Sequence, residues 1–106
     1  MSKTPQERFE EIKKEIIQIS ESYTLIRQNM NKEQPAGYEQ RHIQFLQMRL
    51  NDLVKELNEM NSKQEIVIPL LYKDAVNKLR RALLDNCPKE FVEVANDIDY
   101  LNVYLY

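Results

Sequence analysis

A chain of 106 residues, 42% hydrophobic and 30% charged, is long enough to bury a hydrophobic core and too apolar to stay disordered. One Gly leaves little room for hairpin turns, so a composition rich in Leu, Ile, Lys and Glu predicts helices. A formal net charge of -2 gives no overall attraction to nucleic acid or anionic membranes, and the lone cysteine, Cys87, excludes an internal disulfide or a cysteine-based zinc site.

The polar start MSKTPQERFEE is unlike a signal peptide. The longest apolar run, IVIPLLY from Ile66 to Tyr72, is far short of the roughly 20 residues of a membrane span. The expected location is cytoplasmic, without membrane contact. The expected unit is a single helical domain over residues 1–106.

Helix 1 is predicted over about residues 5–31. Thr4 is the N-cap, Pro5 the first helical residue and Glu7 the capping-box partner. Phe9, Ile12, Ile16, Ile19, Tyr23, Ile26 and Met30 then alternate in steps of three and four, a heptad seam. Lys32 to Gly37 reads as a loop, holding the only Gly and a Pro. Helix 2, about residues 38–61, repeats the seam with Ile43, Leu46, Leu50, Leu53, Leu57 and Met60. Two seams of matched length on a short link predict an antiparallel hairpin, because the link keeps them at high effective concentration. A parallel oligomeric coiled coil is the rival. Tyr38, Phe45 and Met48 share the face of helix 2 away from the seam, to be covered either by later helices or by a partner.

Residues 62–69 are expected to form a connector. SKQE resembles a helix start, but Pro69 would break it, and alternating Ile66 and Ile68 suit a short extended piece. Helix 3, about residues 70–85, carries Tyr72, Ala75, Val76, Leu79 and Leu83 on one stripe. Cys87 precedes a proline and is therefore non-helical, a cap for helix 4 over about residues 88–105. Helix 4 carries Phe91, Val94, Ile98, Leu101 and Leu105, with Tyr100 and Tyr104 beside them, so its apolar face widens toward the chain end at Tyr106.

The fold expected is all-α: a long antiparallel helical hairpin with two shorter helices packed on it, a four-helix bundle-like arrangement. The short pair is expected at the base of the hairpin. That leaves a tip near Tyr23 to Phe45 uncovered, with Tyr23, Ile26, Met30 and Ile43 facing only each other.

Chemistry is sparse. Glu39 and His42 form a Glu-x-x-His step, half of a carboxylate-bridged di-iron signature that needs a second such motif and further core glutamates. There is no phosphate-binding glycine loop and no nucleophile elbow. The sequence therefore predicts no enzyme, no catalytic residue, no metal and no cofactor. Lys73, Lys78, Arg80 and Arg81 on helix 3 are candidate phosphate contacts, against the plainer expectation that they pair with Glu90, Glu93, Asp97 and Asp99 of helix 4.

The function expected is a non-enzymatic protein–protein interaction module, an adaptor or a subunit of a complex that self-associates as a homo-oligomer. Its candidate partner-binding residues are Tyr38, Phe45, Met48, Tyr100, Tyr104 and Tyr106. The alternatives are a small antagonist that sequesters one protein, as immunity proteins do, and a nucleic-acid-associated regulator acting through helix 3.

Overall fold

A computed structural model of the chain describes residues 4–29 and 37–104, apart from the side chains of Asn29, Tyr38 and Tyr104. Four helices follow in order: α1 (Pro5–Asn29), α2 (Gly37–Ser62), α3 (Leu70–Leu84) and α4 (Pro88–Tyr104). α1 starts where its cap dictates, with Thr4 Oγ1 accepting the Glu7 N–H at 3.1 Å. The expected helical positions at Met30 and Asn31 and the expected loop from Lys32 to Ala36 lie outside the described residues.

α2 and α3 end in the same way. After α2, Gln64 adopts a left-handed backbone (φ 59°) while the Glu65 N–H reaches the Met60 carbonyl and the Gln64 N–H reaches that of Asn61. After α3, Asn86 (φ 52°) takes the same role, with Cys87 N–H bonded to Ala82 and Asn86 N–H to Leu83. Both are Schellman caps, which satisfy the orphan carbonyls of a last turn and reverse the chain. The connector then runs extended: Ile66 and Ile68 are buried and Val67 between them is 89% exposed. Pro69 stands outside α3 as its N-cap, and Cys87 is non-helical, its carbonyl taking the Phe91 N–H at 3.0 Å.

The helices run up, down, up and down. α1 lies between α2 and α4, and α3 lies between the same two on the far side. Every described seam position of α1 and α2 from Phe9 to Tyr23 and from Ile43 to Met60 is buried, as are Tyr72, Leu79, Leu83, Phe91 and Ile98. An edge-to-face aromatic pair closes each end of this core. Phe9 meets Tyr72 at 5.7 Å between ring centroids near the base, and Tyr23 meets Phe91 at 4.5 Å near the top.

The expected bare tip is therefore corrected. Tyr23 is fully buried, Ile43 is 4% exposed and Ile26 packs against the core. α3 has 15 residues and rises about 22 Å, close to the roughly 21 Å that separate Phe9 from Tyr23 along α1. Starting level with Phe9, α3 carries its closing turn up to Tyr23, where the phenol donates to Asn86 Oδ1 at 2.5 Å. Two bonds tie α3 to α2 on the way: Arg80 Nη1 donates to Asn51 Oδ1 at 2.9 Å and Gln47 Nε2 to the Leu83 carbonyl at 2.8 Å.

The expected charge pairing between α3 and α4 does not occur among the described residues; the interhelical ion pairs join α1 to α2. Arg8 grips Glu56 through Nε and Nη2 at 2.5 and 2.8 Å, and Arg49 grips Glu15 through the same two nitrogens. The hydrogen bonds from Arg49 hold the Glu15 carboxyl below the usual carboxylate range, and those from Arg8 do the same for Glu56; burial pushes both the other way. Carboxyls with depressed folded pKa values favour the fold above their unfolded value near 4.3, and that contribution is lost as pH falls through their folded values. An Arg8→Met/Arg49→Met variant is therefore expected to lose less stability than the wild type between about pH 6 and about pH 3 in thermal unfolding. Equal losses would mean the two pairs do not hold the helices in solution.

Candidate functional site

Two apolar surfaces remain outside the completed core, on opposite sides of the bundle. The first is the outer face of α2. With the seam from Ile43 to Met60 turned inward, the 3.6-residue period sends positions 45 and 48 outward. Phe45 is 62% and Met48 69% exposed. α3 and α4 do not cover this face, because α3 packs on the Asn51 flank of α2 and α4 contacts α1 and α3. The Tyr38 side chain lies outside the described residues. Leu25 on α1, 59% exposed, is a further apolar residue near this end. Its signal in the sequence is a leucine off the seam, between Tyr23 and Ile26.

The second surface is the outer side of the α3–α4 pair. Leu71 and Tyr100 flank a shallow groove of about 280 Å³ that Lys78 and Asp97 also line. Leu71 is 64% and Tyr100 60% exposed. The widening apolar face of α4 thus divides within one helix. Ile98 and Leu101 close the core, while Tyr100 and Val103 stand at the surface. The side chain of Tyr104 and all of Tyr106 lie outside the described residues. Leu71 was hidden in the sequence by IVIPLLY, whose unbroken apolar character does not say which residues turn outward.

The basic residues of α3 do not form one stripe. Arg80 is half-buried and turned to Asn51 on the α2 side, and Lys73 is half-buried. Lys78 lines the groove on the α4 side and Arg81 is exposed.

The reactive side chains are dispersed. His42 is exposed on α2 and Cys87 half-buried in the turn before α4; among the described residues neither is hydrogen-bonded to a second titratable side chain. A groove of about 460 Å³ between α1 and α4 is lined by Tyr23, Arg27, Pro88 and Lys89. Its tyrosine is committed to Asn86, and burial pushes the phenol pKa up, so the group serves the fold. Lys13, on α1, is buried to its tip, with its ammonium 2.9 Å from Glu10 and 4.9 Å from the Phe9 ring centroid. No described helix is long and apolar enough to cross a membrane. No protein-family model, curated protein or solved structure matches the chain.

Proposed function

We propose that this protein is a non-enzymatic helical interaction module, acting in the cytoplasm and self-associating through its outer faces. One observation carries the reading. The core is closed at both ends by aromatic pairs, yet Phe45 and Met48 on one side and Leu71 and Tyr100 on the other stay more than half exposed. Apolar surface left over after a core is complete, with charge around it, is what association surfaces offer. The nucleic-acid reading has less support, because Arg80 is turned to Asn51 and away from Lys78 and Arg81.

The test is solution mass by light scattering across protein concentration, with circular dichroism on the same samples. The wild type is expected to exceed the 12.7 kDa monomer mass as concentration rises. A variant with Glu at positions 45, 48, 71 and 100 is expected to stay monomeric with unchanged helicity. A wild type that remains monomeric throughout refutes self-association. A variant that loses its helicity shows these residues to be core.

A further inference from the structure

The outer faces of α3 and α4 carry opposite charge. Exposed Lys78 and Arg81 stand on α3, and exposed Glu90, Glu93 and Asp97 on α4. Each helix has one exposed exception, and each exception is four residues from an opposite charge on its own helix: Asp74 before Lys78, and Lys89 before Glu93. Among the described residues, Lys78, Arg81, Glu93 and Asp97 form no ion pair, although Lys78 and Asp97 line the same groove. The groove thus presents a half-apolar base, Leu71 with Tyr100, and charges of both signs that the monomer leaves unused.

We infer that this face is an isologous dimer interface, occupied by the α3–α4 face of a second copy of this chain, with the two-fold axis along the groove. The inference rests on the self-association reading and names its surface. Such an axis keeps every residue at its own height and exchanges the sides, so α3 of each copy lies over α4 of the other. The antiparallel register of the pair, centred on Asn86, then sets Leu71 against the partner's Tyr100, Lys78 against Glu93 and Arg81 against Glu90, each contact made twice, with Asp74 against Asp97 as the one like-charge contact. A second copy thus brings opposite charges together at two heights, Lys78 with Glu93 and Arg81 with Glu90, against one like-charge height. Two helices of 15 and 17 residues side by side present roughly 500 Å² per copy, or roughly 1,000 Å² in total, at the low end for a specific interface. The dimer is accordingly weak, concentration-dependent and loosened by salt.

The experiment is a charge exchange on the full chain, read by sedimentation or light scattering. Lys78→Glu alone and Glu93→Lys alone each place like charges across the axis twice. Each is expected to raise the dissociation constant at least about tenfold. An equimolar mixture of the two variants regains the dimer mass, because the heterodimer has one exchanged pair and one native pair, both attractive. Arg81→Glu with Glu90→Arg is a second, independent exchange on the same face, should either first variant lose helicity. Phe45→Glu/Met48→Glu is expected to leave the dimer intact. Dimers that persist in both single variants, or a mixture that stays monomeric, overturn the inference. Loss of the dimer in Phe45→Glu/Met48→Glu moves self-association to α2 and also overturns it. A wild type monomeric at every concentration removes the self-association reading as well.

Discussion

Phe91→Ala is expected to lower the free energy of unfolding by about 3–5 kcal/mol, the usual cost of emptying a phenylalanine site in a well-packed core. Phe91 is fully buried and its ring lies 4.5 Å from that of Tyr23, itself fully buried. Removing it loses the transfer free energy of the ring and leaves a cavity against Tyr23, which cannot collapse into the space freely. Its hydroxyl is anchored to Asn86, and Asn86 is fixed by the cap that ends α3. The loss therefore reaches three elements at once: the upper part of α1, the turn after α3 and the first turn of α4. Phe45→Ala is the control. The same residue type, 62% exposed, is expected to change stability by no more than about 0.5 kcal/mol. Denaturant unfolding of both variants at unchanged slope makes the comparison. A loss below about 1 kcal/mol for Phe91→Ala would mean that α4 is not seated on Tyr23 and that the hairpin tip is bare after all.

The second large effect is expected from Arg8→Glu/Glu15→Arg, which leaves the net charge unchanged. Arg8 pairs with Glu56 and Glu15 with Arg49, one heptad apart on each helix and with the polarity reversed. The double variant sets three acids, at positions 8, 11 and 56, together at one site and two arginines together at the other. Part-exposed pairs such as these contribute less than about 1 kcal/mol each, and repulsion adds a similar amount, so the expected loss is about 1–2 kcal/mol in total at low salt. Adding Arg49→Glu and Glu56→Arg restores attraction at both sites and should recover most of it. The loss should shrink as salt is raised, since the charges are near the surface. If the four-fold variant stays as unstable as the double, the two sites do not face each other and the register of α1 on α2 is wrong. In the native register the alternating polarity also opposes a one-heptad slip, which would bring Arg8 level with Arg49. The pairs thus add specificity to a hairpin whose apolar heptads would tolerate the slip.

The four helices, the Thr4 and Cys87 caps and the described inward stripes were legible in the sequence, because each is set locally, whereas the left-handed caps at Gln64 and Asn86 were not. The three-four spacing of apolar residues, Thr4 before Pro5, and Cys87 before Pro88 need no distant partner to take effect. The in-out-in course of Ile66, Val67 and Ile68 follows from backbone geometry alone. Only the tertiary structure decided which apolar residues off the seams would be covered. Phe45 could have been covered by a later helix, and it is open because α3 packs on the Asn51 flank of α2 instead. The same holds for the charges. Arg80 stands beside Lys78 and Arg81 in the chain, and packing turns it to Asn51 instead. The pairs Arg8–Glu56 and Glu15–Arg49 join residues 48 and 34 positions apart, and no local pattern announces them. Helix formation depends on neighbours a turn away; coverage and pairing depend on the heights and rotations of whole helices, which are fixed only when the cores of all four close together.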